Sequence, residues 1–155
     1  MKQFLLALFA SFLISSLCYS EQKQENSMTQ STIIRSYFQG LESGSYEKVI
    51  QLFAPNAVVL SPLYGKKSAT TFYKELFSDT NRSKITLKNI FVNPDNSQVA
   101  AGHFLYDWTL KDGTKAPFEC IDVFEFTKDN KFIEKLTIIY DTQHTRKAFE
   151  QIHQK

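Results

Sequence analysis

The sequence predicts one α+β domain, cone-shaped, in which three N-terminal helices pack in a curved, mostly antiparallel sheet. Two observations carry this prediction. Apolar residues before about residue 80 recur mostly at helical spacing, whereas from residue 84 to 141 they fall in four long strand-like segments. Turn-forming sequences, NPDNS, KDGTK and TKDNK, separate those segments. A twisted sheet that closes over helices tends to leave a cavity on its concave face.

The N-terminus has the layout of a secretory signal peptide in residues 1–20, with Lys2 followed by an apolar run and small residues before Glu21. Residues 21–28 are polar and read as a flexible leader, so the domain would occupy residues 29–155. We therefore expect export to a periplasmic or secreted location. Lipidation of Cys18 is the alternative, but the bulky Leu17 before it is unfavourable.

Charge and cysteine content exclude several classes of protein. Lys2 is the only charged residue in 1–20, so of the 18 basic and 16 acidic residues the mature chain keeps 17 and 16. A nearly neutral chain has no long-range attraction for nucleic acid, or for a membrane unless Cys18 is lipidated. Cys120 would be the only mature cysteine, so no intrachain disulfide is expected. The three histidines lack zinc-ligand spacing, and we expect no metal and no other cofactor.

The helices are predicted from apolar stripes and caps. The first runs from Thr29 to Leu41 and is stopped by Gly44, and Ser45 caps a second that reaches Phe53. Pro55 and Asn56 would end it before a short strand over 57–60 and a loop over 61–67. Ser68 would cap the third helix, whose apolar side is Phe72, Tyr73, Leu76 and Phe77.

Four long strands are predicted over 84–92, 98–110, 115–127 and 132–141. A closing helix over 143–153 would be capped by Asp141 or Thr142.

The stretch FECIDVFEF, Phe118 to Phe126, places a carboxylate in the most aromatic face of the chain. With a period of two, Asp122 shares its face with Phe118, Cys120, Phe124 and Phe126. An unpaired ionised carboxylate is costly to bury, so Asp122 must be paired, neutral or facing a cavity.

The dipeptide Asp112-Gly113 predicts a two-residue type I′ hairpin. That turn would place His103 across from Asp122, and Leu105 and Asp107 on the same inner face. Phe104, Tyr106 and Trp108 would then form an outer aromatic stripe suited to a homodimer through the sheet. A bulge near Pro117 would shift this register by one residue, and His103 would then be an ordinary half-buried strand histidine.

Several motifs resemble the nuclear transport factor 2-like superfamily, and most closely its SnoaL-like and ketosteroid isomerase-like branch. They are YFQGLESGSYEKVIQLFAPNAVVLSP from Tyr37, Gly65 followed by Phe72-Tyr73, and CIDVFEF followed by a strand ending IIYD. The resemblance covers the chain from about Ile33 to Phe149.

The resemblance to ketosteroid isomerase implies an oxyanion hole made of Tyr37 and a protonated Asp122. The isomerase has an aspartate base directly before a proline, where this chain has Ser61 before Pro62. A serine hydroxyl does not abstract a carbon-bound proton without a base of its own. His103 or Asp107 would have to supply that base.

Three functions remain open from the sequence. The first is binding of a small apolar ligand in the cone without turnover. The second is an isomerase, cyclase or dehydratase that uses Tyr37 and Asp122 as oxyanion donors and His103 or Asp107 as acid/base. The third is a dimeric interaction module. The predicted ligand-binding residues are Ser61, Leu105, Phe118, Cys120, Leu136, Ile138 and Tyr140.

Overall fold

The computed structural model describes residues 29–154, so the predicted signal peptide and leader lie outside the described residues. The helices are α1 (residues 29–42), α2 (Tyr46–Ile50), α3 (Ala69–Asp79) and α4 (Arg146–His153). The strands are β1 (Phe53–Ser61), β2 (Gly65–Ser68), β3 (Thr80–Val92), β4 (Val99–Leu110), β5 (Phe118–Phe126) and β6 (Ile133–Ile139).

The six strands form one mixed sheet in the order β2-β1-β6-β5-β4-β3. Only β1 and β6 pair in parallel, and every other neighbouring pair is antiparallel. The described residues therefore confirm the α+β class and the mostly antiparallel sheet. Three helices precede the four long strands, as predicted, and the inner face of the sheet is buried.

The predicted helix boundaries at Ser45 and Ser68 are confirmed. The Ser45 hydroxyl accepts a hydrogen bond from Lys48 N at 3.3 Å, and the Ser68 hydroxyl accepts one from Thr71 N at 3.2 Å. Each bond satisfies an N–H group that has no partner inside the helix. Gly44 ends the first helix with a φ of 62°, which a residue with a side chain rarely adopts.

The region after α2 differs from the prediction. The helix ends at Ile50, and β1 already begins at Phe53 and runs through Pro55. Pairing with β6 is interrupted between Phe53 and Val58. Proline is tolerated there because its missing N–H falls in the interrupted part of the ladder. The predicted loop over 61–67 includes most of β2, which pairs with the end of β1.

The C-terminal helix is present but starts later than predicted. Its N-cap is Thr145, so the predicted caps Asp141 and Thr142 are wrong. Asp141 Oδ1 instead accepts a hydrogen bond from Gln143 N at 2.9 Å, in the turn before the helix.

The β4–β5 hairpin has a three-residue loop, and the predicted two-residue turn is wrong. Leu110 N donates to Thr114 O at 2.8 Å, and Gly113 N donates to Leu110 O at 2.9 Å. Gly113 has a φ of 89°, whereas Asp112 is not in the positive-φ region that a type I′ turn requires of both central residues. The loop is therefore one residue longer than predicted.

This extra residue shifts the pairing, so that Asp122 lies across from Gly102 and His103 lies across from Ile121. Because side chains alternate, the shift moves every β4 side chain to the opposite face. The predicted outer stripe is consequently wrong: its members, Phe104, Tyr106 and Trp108, are buried on the inner face.

Close packing joins α1 to the inner face of the sheet at Gly102. A Cβ atom at Gly102 would lie 2.8 Å from two ring carbons of Phe38. The Phe38 ring in turn packs on Phe104, with 4.5 Å between ring centroids. The missing side chain at Gly102 therefore lets α1 lie close to β4, at the residue that pairs with Asp122 of β5.

None of the helices in residues 29–154 is both long and apolar enough to cross a membrane.

Candidate functional site

A cavity of about 30 Å³ lies between the helices and the concave face of the sheet. The cavity is partly open to solvent. Its walls are almost entirely apolar and aromatic. The lining residues are Tyr37, Leu41, Ser61, Tyr64, Phe72, Leu76, Phe104, Tyr106, Trp108, Phe118, Cys120, Asp122, Ile138 and Tyr140.

One polar cluster faces this cavity. The Tyr37 hydroxyl donates to Asp122 Oδ2 at 3.0 Å, and the Tyr73 hydroxyl donates to the Tyr37 oxygen at 3.2 Å. The Cys120 thiol donates to Asp122 Oδ1 at 3.3 Å. Asp122 itself is only 1% exposed. The cluster brings together side chains from α1, α3 and β5, which are far apart in the sequence.

Burial governs the protonation of this cluster. Desolvation raises the pKa of Asp122 to about 7, although the hydrogen bonds from Cys120 and Tyr37 oppose the rise. Burial also raises the pKa values of Tyr37, Tyr73 and the Cys120 thiol, so these three groups keep their protons at neutral pH. The cavity therefore contains one carboxyl that exchanges a proton near neutrality, surrounded by neutral donors.

Ser61, which the resemblance to ketosteroid isomerase aligns with that enzyme's base, lines the cavity. Its hydroxyl oxygen accepts hydrogen bonds from Leu63 N and Tyr64 N, both at 3.3 Å, and so fixes the turn after β1. The pattern is that of a turn-stabilising serine. No histidine, aspartate or glutamate except Asp122 lines the cavity within the described part of the chain.

Five of the predicted ligand-binding residues line the cavity: Ser61, Phe118, Cys120, Ile138 and Tyr140. Leu136 is fully buried on the inner face but belongs to the packed core and not to the cavity wall. Leu105 lies on the outer face because of the register shift, so its predicted position is wrong.

His103 and Asp107 also lie outside the cone, and the predicted contact between His103 and Asp122 is wrong. The imidazole Nε2 of His103 lies 2.7 Å from Glu119 Oε1, and Asn89 Nδ2 lies 3.5 Å from its Nδ1. Asp107 is exposed. Since neither group reaches the cavity, neither can move a proton to or from a molecule bound there.

Sequence reasoning missed several residues of the site. Tyr73 was predicted only as part of an apolar helix face, and its hydroxyl gave no separate signal. Phe104, Tyr106 and Trp108 were assigned to the wrong face by the turn. A three-residue loop ending in Gly113, a common hairpin alternative, would have placed them correctly.

The arrangement can hold the oxygen of an otherwise apolar molecule. Neutral Asp122 has a proton to donate to such an oxygen, and the Tyr37 hydroxyl, which here donates to Asp122 Oδ2, can donate to it only by turning away from that carboxyl. Within residues 29–154, no group of three or more histidine, cysteine, aspartate or glutamate side chains is placed to hold a metal ion.

The curved six-stranded sheet with helices packed on one face is the nuclear transport factor 2-like fold. The match of residues 34–135 to the SnoaL-like domain model shows that the chain belongs to the SnoaL-like domain family. No functionally curated protein matches the sequence.

Solved structures share the fold at low sequence identity. BvnE pinacolase from Penicillium brevicompactum is 12% identical, with a TM-score of 0.69 over 82% of this chain and 96% of that one. PrhC from Penicillium brasilianum NBRC 6234 is 13% identical, with a TM-score of 0.68 over 83% and 94%. The Delta 5-3-ketosteroid isomerase of Mycobacterium sp. is 15% identical, with a TM-score of 0.63 over 75% and 95%. These likenesses concern the fold, which hosts many different functions.

Proposed function

We propose that this protein binds a small, mostly apolar molecule in the cone and holds its one carbonyl or hydroxyl oxygen at Tyr37 and Asp122. The observation that carries the proposal is the hydrogen bond between Tyr37 and the buried Asp122 in a cavity whose other walls are mostly apolar and aromatic. Apolar walls with few polar groups are typical of small-molecule sites, because the walls supply affinity and the polar groups fix orientation.

The absence of a second carboxylate or of an imidazole among the described cavity-lining residues supports binding without isomerisation. Ser61 is engaged in a turn, and His103 and Asp107 lie on the other side of the sheet. The donors that would stabilise an enolate-like oxygen are therefore present without a second group to remove a carbon-bound proton.

A fluorescence titration with 2-naphthol, an apolar bicycle with one hydroxyl, tests this proposal at pH 6. Tyr37→Phe should weaken binding about tenfold, the typical effect of one lost buried hydrogen bond. Tyr46→Phe is the matched control, since this tyrosine lies in α2 outside the cavity and its loss should leave affinity unchanged. Circular dichroism checks that both variants fold. The proposal is refuted if 2-naphthol shows no saturable binding to the wild type. It is also refuted if Tyr37→Phe binds 2-naphthol as tightly as Tyr46→Phe does.

A second candidate is an enzyme in which Asp122 alone carries the proton. It is favoured by the Asp122 pKa of about 7, which makes both protonation states available near neutral pH. Exchange of the α-protons of 2-tetralone in D₂O is the assay. The rate should exceed that of buffer, fall strongly in Asp122→Asn and stay unchanged in Asp107→Asn. A rate no higher than buffer excludes this candidate.

We also propose a homodimer through the outer face of the sheet, on different residues from those first predicted. Phe91, Ile121 and Ile139 are 52%, 40% and 54% exposed there, and Ile121 lies next to Ile139 across the β5–β6 ladder. Sedimentation of the wild type and of Ile139→Lys tests this assembly. A wild-type chain that stays monomeric at high concentration contradicts it.

Export remains part of the proposal. N-terminal sequencing of the protein recovered from its native compartment should begin near Glu21, whereas a chain that still starts at Met1 would contradict cleavage.

A further inference from the structure

The outer face of the sheet carries a second cavity, which we call the outer groove, at the end of β3 and β4 near the β4–β5 hairpin. Its volume is about 300 Å³, at the lower end of the range for small-molecule sites. In contrast to the cone, its lining is mostly polar and includes three basic side chains and one acidic one. They are Arg82, Lys84, Lys115 and Asp107. The outer groove is therefore a candidate site for an anion.

Pairing across the strands places two of these cations on either side of one hydroxyl group. Arg82 lies across from Thr109, and Thr109 bridges on its other side to Lys115. Directly opposed residues of antiparallel strands point to the same face, and neighbouring strands lie about 4.8 Å apart. The Cα atoms of Arg82 and Lys115 are therefore about 10 Å apart. Two long cationic side chains thus flank the shorter side chain of Thr109.

The charges of the outer groove are not balanced within the described residues. Lys84 lies across from Asp107 in the next cross-strand row, so these two charges offset each other. By contrast, no carboxylate of residues 29–154 lies within 4.0 Å of the Arg82 guanidinium or the Lys115 ammonium. Both side chains are exposed. Arg82 and Lys115 therefore leave a local positive charge in a chain with 18 basic and 16 acidic residues in all.

Phosphate is the anion whose chemistry matches these donors. A guanidinium binds phosphate through two parallel N–H groups, and a lysine ammonium adds a compact point charge. A threonine hydroxyl is a further donor. A phosphomonoester presents three acceptor oxygens and almost two negative charges at neutral pH, whereas a carboxylate presents two oxygens and one charge. A guanidinium, a hydroxyl and an ammonium from three adjacent chain segments therefore suit a phosphate better than a carboxylate.

We propose that the outer groove binds the phosphate group of a small phosphomonoester, with Arg82, Thr109 and Lys115 as its donors. The organic part of the ligand lies along Pro117, which lines the groove without adding a charge. The site is on the opposite face of the sheet from the cone, so it does not depend on the binding proposed there. It is also distant from the proposed dimer surface, because Phe91 follows Arg82 by nine residues along β3, about 30 Å at 3.3 Å per residue.

An NMR titration of the ¹⁵N-labelled chain with phenyl phosphate at pH 7.5 tests this site. The amide signals of Thr109 and Lys115 should shift saturably, whereas phenol, the same ring without the phosphate, should leave them in place. Arg82→Gln should weaken binding of phenyl phosphate about tenfold through loss of its charged hydrogen bonds. Arg35→Gln, the same replacement on an exposed arginine of α1, should leave the affinity unchanged. The absence of a saturable shift in the wild type, or equal affinity in the two variants, overturns the proposal.

Three further variants separate a phosphate site from a general effect of surface charge. Lys115→Gln should weaken binding about three- to tenfold. Lys88→Gln removes an exposed lysine of β3 outside the groove and should not weaken it. Asp107→Asn should tighten binding about two- to threefold, because it removes a negative charge from the groove. The proposal fails if Lys88→Gln weakens binding as much as Lys115→Gln, or if Asp107→Asn binds phenyl phosphate no more tightly than the wild type.

The same phosphate chemistry occurs on lipid headgroups, and a vesicle assay distinguishes the two sources. The protein is sedimented with phosphatidylcholine vesicles that contain or lack phosphatidic acid. Binding of phenyl phosphate without retention on either kind of vesicle supports a small soluble ligand. Retention on the phosphatidic acid vesicles by a protein that does not bind phenyl phosphate overturns it in favour of a lipid surface.

Discussion

Replacing Asp122 by asparagine should change how stability depends on pH. The folded-state pKa of about 7 lies above the ordinary value of 3.8 that the group regains on unfolding. The folded chain therefore holds this proton more tightly than the unfolded chain does. The protonated carboxyl stabilises the folded state fully below pH 3.8, and this stabilisation is lost as pH rises through about 7. The interval of about three pH units corresponds to about 4 kcal/mol, at 1.36 kcal/mol per unit. Asparagine has nearly the shape of the neutral acid but has no proton to lose.

Urea unfolding at pH 4 and pH 8 measures this effect in the wild type, Asp122→Asn and Asp107→Asn. The free energy of unfolding of Asp122→Asn, relative to wild type, should rise by about 4 kcal/mol between the two pH values. Asp107→Asn makes the same chemical change on an exposed side chain and should follow the wild type closely. If all three proteins show the same pH dependence, Asp122 is not held neutral by its surroundings, and the reasoning about the cavity is refuted.

Three other perturbations follow from single contacts. Gly102→Ala should lower the free energy of unfolding by about 1–3 kcal/mol, because its Cβ meets the Phe38 ring in a packed core; an unchanged urea midpoint would contradict this packing. Ser68→Ala should cost about 1 kcal/mol in the same assay through loss of the α3 cap, and a cost near zero would show that the cap is not needed. Cys120 should resist iodoacetamide until the protein unfolds, since burial raises its thiol pKa; peptide mapping would reveal rapid native labelling if this is wrong.

Local patterns in the sequence determined most of the architecture. The alternation in FECIDVFEF correctly placed Cys120, Asp122 and Phe124 on the buried face, because a strand alternates its side chains whatever it pairs with. The caps at Ser45 and Ser68 were found for a similar reason: an N-cap hydrogen bond spans only three residues. The family resemblance added Tyr37, which lies beside Asp122.

The composition of the cavity was decided by tertiary structure. One extra residue in the loop at Gly113 places His103 outside the cone and Trp108 inside it. Side chains alternate with a period of two, so a shift of one residue in the pairing reverses the face of every side chain in the strand. Local sequence did not fix that loop length, because Asp-Gly suits both loop types. The contacts of Tyr37 with Asp122 and of Asp79 with His153 join residues 85 and 74 positions apart, and the packing of helices on the sheet brings them together. The sequence alone divided the side chains of each strand into two alternating faces, whereas only the packed chain decided which face of β4 is buried and which residues meet.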